Sequence, residues 1–379
     1  MSKYNDIVVF AHRLKFKNKL KIGGVDLFLK HIKGFYIFEF GFKDKYSFEN
    51  KKVIFSKIKK SNKKILKIYN YKFDNIFLQA LESLFFVLNE LKNLKLIKPI
   101  FIYNNFLAGI FYIIVKLYLF KNSKSYFHMT DYLNRILINN TILKIVLSYS
   151  NLVGVMTNRS KKKIIQKYNL SKNKVFIVNN SIQLEHKKFK KNLVFVTGAG
   201  SVISKYRYEE IIKFCNKLKF HRINFKIFIF GSKNGDFKYF LKLKKLINKY
   251  QLNKNIIFPG FVTTNFYKKI LKNQATFGIA LYSKKENFDW MYYADPLKIR
   301  EYLAYQIPFI CDKTTEVGSL AIKKGIAIDF SKKKFFLNKF LNIVKNKKKK
   351  HELNLKVKKF NQYENKKKTI NKILKLLKY

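Results

Sequence analysis

Three observations predict an α/β chain with two doubly wound domains. The chain has 379 residues, long for one core and suited to two domains. Short apolar runs of strand length alternate with stretches of helical period, as in parallel sheets covered by helices on both faces. The alternation forms two series, parted by a Lys-rich stretch, "HKKFKKN", at 186–192. The expected division is 1–187, 188–362 and an amphipathic C-terminal helix at 363–379. No internal repeat of fixed period is visible.

In the first series, 7–10 reads as a strand, Gly23-Gly24 as a turn and 25–33 as a helix. "FYIFEF" is the next strand. The Lys-rich segment 51–68 carries Ile54, Phe55, Ile58, Ile65 and Leu66, and is expected to be an interfacial binder or an ordinary surface helix. Over 77–95, Leu81, Leu84, Phe85, Leu88 and Leu91 recur at helical spacing. The span 100–120 has about the ~20 residues of a membrane helix, but Asn104, Asn105 and Lys116 interrupt it. It reads better as a strand, a polar turn and a buried helix from about 106. "PIFIYN", "KSYFHMT", "LVGVMT" and "KVFIVNN" supply the remaining strands. The second series runs through "NLVFVTGAG", a helix at 208–218, "FKIFIFG", a helix at 236–250, "IIFPG", a helix at 265–273, "FGIALY", "PFIC" and "GIAIDF". At the end, Ile370, Ile373, Leu374 and Leu377 fall on one face of a Lys-rich helix.

The formal net charge is +58, yet only six of the 80 basic residues are Arg. Readers of nucleic-acid grooves favour the planar Arg fork. Lys here accompanies abundant Asn, Ile, Phe and Tyr, which suggests biased base composition displayed on solvated faces. Attraction to an anionic membrane surface is compatible with it. No helix-turn-helix, zinc finger or RNP-like motif appears, so no specific nucleic-acid partner is expected. Cys215 and Cys311 have no metal or disulfide spacing, consistent with a reducing compartment. The N-terminus reads directly into a strand without a leader pattern.

The segment "YADPLKIREYLAYQIPFI", 293–310, is the most informative stretch. It lies between two buried strands, so its helix starts beyond a strand's carboxyl end, where open sheets bind ligands. Asp295 can cap it and Pro296 suits its first position. Asp295, Lys298 and Glu301 follow at i, i+3 spacing, which makes either a salt-bridged solvated face or a ligand-facing stripe. In the second case Glu301 accepts from sugar hydroxyls, and Lys298 or the helix N-terminus meets phosphate. The cleft between two such domains is the default site. "VTGAGSVISKYR" carries Gly198 and Gly200 but Ile203 where a dinucleotide fingerprint needs a third Gly, which argues against NAD.

"DPLKIREYLA" followed by "IPFI" resembles the signature of GT-B glycosyltransferases of family 4 type. "VFIVNNSI", with Asn180 and Ser181, "KIFIFG", "IIFPGFV", "ATFGIALY" and "TEVGSLAIKKGIAID", with Glu316, follow in that family's order. The similarity spans about 150–330. It implies two Rossmann-like domains and transfer of a sugar from a nucleotide-sugar, retaining and metal-independent, to a lipid-linked or polysaccharide acceptor of the cell envelope. No cofactor is implied beyond the donor. Glu301 would hold the donor ribose, with Lys298 and Asp295 beside it. Lys205, with Arg207 in reserve, and Gly200 would face the diphosphate. Gly23 and Gly24 would lend backbone N–H groups to the donor phosphate, and His128 with Asp131 would meet the transferred sugar. The family's additional Glu, eight residues before Glu301, is Tyr293 here, with Asp295 or Asp289 as substitutes. Its Arg in the diphosphate loop is Ala199, and the Gly that ends the signature helix is Gln306. A catalytically degenerate scaffold and a polycationic nucleic-acid binder stay open as alternatives. The expected location is the cytoplasm, peripheral on the inner membrane face.

Overall fold

The computed structural model describes residues 7–12, 32, 34–41, 52–59, 62–129, 137–185, 192–283, 288–331, 333–360 and 363–378. The expected turn at Gly23-Gly24, the helix over 25–33 and Asp131 lie outside the described residues. The chain divides into two compact units, 1–179 with 366–379, and 180–365.

The first unit holds an eight-stranded sheet. Its described elements are β1 (Ile7–His12), β2 (Gly34–Gly41), β3 (Lys52–Lys59), β4 (Asn62–Asn70), α1 (Ile76–Asn93), β5 (Ile100–Tyr103), α2 (Phe106–Tyr118), β6 (Lys124–Met129), α3 (Leu137–Tyr149), β7 (Leu152–Val155), α4 (Asn158–Tyr168) and β8 (Val175–Ile177). The order β4-β3-β2-β1-β5-β6-β7-β8 reverses direction at β1/β5. All pairings are parallel except β2/β3 and β3/β4. Instead of a surface helix, 52–59 and 62–70 are antiparallel strands. Val53, Ile54, Phe55 and Ile58 are buried in the sheet, Phe55 stacked on Phe38 with centroids 4.5 Å apart. Lys-rich β4 forms the edge, where exposed cations discourage pairing with another chain. The 100–120 span resolves into β5, a turn and α2, which Asn105 caps by accepting from the Ala108 amide at 2.7 Å. Among the described residues no helix is long and apolar enough to cross a membrane.

The second unit has a six-stranded, wholly parallel sheet with order β11-β10-β9-β12-β13-β14. Its elements are β9 (Leu193–Ser201), α5 (Tyr208–Phe220), β10 (Phe225–Ser232), α6 (Phe237–Lys249), β11 (Ile256–Gly260), α7 (Thr264–Asn273), β12 (Phe277–Ala280), α8 (Phe288–Tyr293), α9 (Leu297–Ala304), β13 (Phe309–Cys311), α10 (Glu316–Lys323), β14 (Ala327–Asp329), α11 (Lys333–Lys345) and α12 (Lys347–Lys359). Each strand hands the chain to a helix before the next parallel strand begins. The order is that of a doubly wound nucleotide-binding sheet, reversing at β9/β12. Phe195, Phe214, Phe277 and Phe340 interlock in its core.

The second unit starts earlier than residue 188 because 180–185 is bonded into it. Asn180 donates its amide N–H to Asp295 Oδ2 at 2.6 Å, and the Glu185 amide donates to the Ala304 carbonyl at 2.9 Å. The last helix, α13 (Tyr363–Lys378), returns to the first unit. There its predicted apolar face, Ile370, Ile373 and Leu377, is buried with Ile7, Val9 and Ile37.

Candidate functional site

The chemistry of the second unit gathers at the carboxyl ends of β9, β12 and β13, beside its topological switch point. After β9, a 3-10 turn at Ser204–Tyr206 presents Lys205. After β12, Tyr282 and Ser283 run past it, and the Ser283 amide donates to the Lys205 carbonyl at 2.9 Å, joining the two loops. After β13, Asp312 accepts from the amides of Tyr282 (2.8 Å) and Thr314 (2.9 Å).

Lys298, in the first turn of α9, is buried between these loops. Its Nζ stands 4.2 Å from the Tyr206 ring centroid and 4.7 Å from that of Tyr282, with no hydrogen-bond partner. Burial pushes its pKa down to about 7; Asp312 opposes that and Lys205 adds to it. Lys205 Nζ lies 4.4 Å over the Trp290 ring and 5.2 Å over Tyr206. Two cations therefore share Tyr206. The rings hold both ammonium groups through their π faces, and Lys298 keeps N–H donors for an anion.

Glu301 lies three residues beyond Lys298 on α9. Burial pushes its carboxyl up to about 7, against the lowering effects of the Tyr267 hydroxyl and Lys268. Near neutrality it changes between acceptor-only carboxylate and protonated donor.

The Asp295-Lys298-Glu301 stripe is not a salt-bridged face. Asp295 pairs with Arg300, whose Nε lies 2.9 Å from Oδ1 and 3.0 Å from Oδ2. The Asn180 backbone amide takes Oδ2, and the Asn180 side chain donates to the Asp295 carbonyl at 2.7 Å. Asp295 does not cap α9 either; Pro296 occupies the cap without a side-chain bond. Burial raises the Asp295 pKa and Arg300 pulls it down, and both carboxylate oxygens already have partners within the chain. Arg207 is similarly engaged: at φ 53° it starts α5, and it bonds Glu210 (2.8 Å) and Asp312 (3.0 Å). Gly200 lies inside β9, with open space where a Cβ would stand, so close approach of other protein atoms does not require Gly. The "TGAG" run is thus strand, not a turn opening a helix. Gln306, where the resembled signature has Gly, adopts φ 54°. Ile307 N–H to Tyr302 O (2.8 Å) and Gln306 N–H to Leu303 O (3.2 Å) close α9 in a Schellman motif, which explains the family's preference.

In the first unit His128, next to last in β6, has no exposed surface. Its Nδ1 lies 2.8 Å from the Tyr126 hydroxyl, and Nε2 has no hydrogen-bond partner. Burial and the Lys366 cation lower its pKa to about 3, so the imidazole is neutral at physiological pH. Tyr206, Tyr282, Trp290 and Asp312 are the site residues that sequence reasoning did not single out. For Tyr282 and Asp312, positions just beyond strand ends were the available signal.

Two Rossmann-like units, the second with this cation-and-carboxylate helix at its switch point, make the GT-B fold. Residues 179–360 match the family model described as Glycosyl transferases group 1. The match takes in the second unit, and there the chain is similar to this group. No curated protein matches it. Among solved structures, S. aureus TarM with fondaparinux, alpha-GlcNAc-glycerol and UDP is similar at 18% identity and TM-score 0.57. That match covers 86% of this chain but 64% of TarM, so the chain spans less than two thirds of that relative. The catalytic domain of Arabidopsis thaliana Starch Synthase IV, bound to ADP and acarbose, is 10% identical with TM-score 0.66, covering 98% of this chain and 99% of that one. Anabaena HepE with UDP is 11% identical with TM-score 0.63, covering 97% and 99%. At these identities the likenesses establish the fold.

Proposed function

We propose that the chain moves a sugar from a nucleotide-sugar to a lipid-linked or polysaccharide glycan acceptor, with retained anomeric configuration and no essential metal. The observation that carries this reading is Lys298, a buried ammonium group without a hydrogen-bond partner, at the carboxyl ends of a nucleotide-type sheet. Burying such a group is unfavourable unless a ligand completes it. A nucleoside diphosphate would do so. Lys298 and Lys205 would neutralise negative charge as it grows on the departing diphosphate, which favours the transition state over the bound donor. Glu301, as carboxylate, would accept hydrogen bonds from the ribose hydroxyls. The UDP and ADP in the TarM, HepE and starch synthase structures support this ligand class, and the acarbose and alpha-GlcNAc-glycerol support a glycan acceptor.

The test has two parts. A thermal-shift screen against UDP-, GDP- and ADP-sugars should give a stabilising donor. With it, Glu301→Gln and Lys205→Ala should each lose most turnover; near-normal turnover in both removes the assignment.

A further inference from the structure

Helix α1 leaves one apolar stripe outward. Its inward side is mixed: Val87 and Leu91 are buried together with the polar Gln79, Ser83 and Glu90. Each polar group has a partner that holds it there. Gln79 Nε2 donates to the Phe73 carbonyl at 2.9 Å, Ser83 shares a 2.8 Å bond with the Tyr71 hydroxyl, and Glu90 pairs with Lys67 at 2.7 Å. Glu82 accepts from the Tyr69 hydroxyl (2.9 Å) and the Lys72 amide (3.1 Å), so both carboxylates of the helix are engaged by β4 and the turn after it. The stripe Phe77, Leu81, Phe85 at i, i+4, i+8 is left facing solvent, with Ile76 and Leu78 at its start. Phe77 is 67% exposed and Phe85 70%. Single exposed apolar residues are ordinary, but a continuous helical stripe marks a contact surface.

We propose that this face of α1 docks on an anionic lipid bilayer, the helix lying along the interface with Phe77, Leu81 and Phe85 among the acyl chains. Charge complementarity selects this occupant. Lys72 before the helix, Lys92 in its last turn, and Lys95 and Lys98 after it are exposed, as is Lys64 on the edge strand β4. An apolar strip bordered by Lys is the composition of an interfacial binder. A second copy of the chain would instead bring together two bodies of +58 each. The proposal deepens the transferase reading, since a lipid-linked acceptor lies at such a surface, but its test needs no turnover.

The full chain is sedimented with vesicles of phosphatidylcholine alone and of phosphatidylcholine with about one-third phosphatidylglycerol. Binding to the anionic vesicles is expected. The double substitution Phe77→Ser with Phe85→Ser leaves net charge and buried core unchanged, and should weaken binding by at least about tenfold. The control Phe220→Ser removes a ring that is 84% exposed in the second unit, and should change nothing. Three chains binding alike would mean attraction by bulk charge alone and would overturn the proposal. So would a wild-type dimer that the double substitution dissociates without loss of vesicle binding. The donor's thermal shift should be the same in all three chains, which separates failure here from failure of the transferase reading.

Discussion

If Lys298 meets the donor diphosphate and Glu301 its ribose, as proposed, the two impose opposite pH dependences on donor binding, both centred near neutrality. Burial places each group at about 7. The diphosphate needs Lys298 protonated, and that fraction falls about tenfold from pH 6 to pH 8. The ribose needs Glu301 ionised, and that fraction rises about tenfold over the same range. Their product peaks near pH 7 and drops only about threefold at pH 6 and at pH 8, a shallow bell. Replacing one partner should uncover the other limb. With Lys298→Arg, which stays charged, affinity should rise about tenfold from pH 6 to pH 8. With Glu301→Gln it should fall about tenfold. The assay is isothermal titration with a nucleotide-sugar, whose diphosphate does not titrate in this range, in two buffers of different ionisation enthalpy. Proton uptake should accompany binding above pH 7 in the wild type and vanish in Lys298→Arg. Both variants keeping the wild-type bell would show that neither group contacts the donor.

Other consequences concern stability. Lys298→Met should raise stability near pH 7 by about 3–5 kcal/mol while removing donor binding, because a cation whose pKa is depressed from the ordinary 10.5 to about 7 weakens the fold. The sign follows: the penalty is absent above the unfolded pKa, grows as pH falls from about 10.5 to about 7, and is complete below, so thermal scans of the two proteins should converge above pH 10.5. Asp295→Ala removes the buried carboxylate that the Arg300 guanidinium and the Asn180 amide share, and should cost about 3–5 kcal/mol in urea unfolding. Gly278→Ala would place a methyl 2.4 Å from the Tyr302 ring, whose hydroxyl donates to the carbonyls of Val196 and Ile279. A loss of about 1–3 kcal/mol is expected in the same assay.

Local pattern was enough for most of the sheets. Strand-length apolar runs such as "FKIFIFG" and "FGIALY" became β10 and β12, because a strand buried on both faces needs apolar residues throughout, whatever its neighbours. The Asp-Pro step and Lys-x-x-Glu spacing placed a helix beyond a strand's carboxyl end by the same local logic, and Ile370, Ile373 and Leu377 announced a buried face. What local pattern left open was which partner each residue meets. Lys interrupts 52–70 on both faces, and the register shift between Phe55 and Ser56 breaks the alternation that would have announced β3 and β4. The spacing of Phe77, Leu81 and Phe85 set the period of α1 but not the side turned inward; Tyr71, Lys67 and the Phe73 carbonyl decided that by binding its polar residues. Of three charged residues three apart, only the tertiary structure made Asp295 the partner of Arg300 and left Lys298 against two tyrosine rings. A helix period is a property of neighbouring residues, whereas burial and charge compensation arise from groups that folding brings from far along the chain.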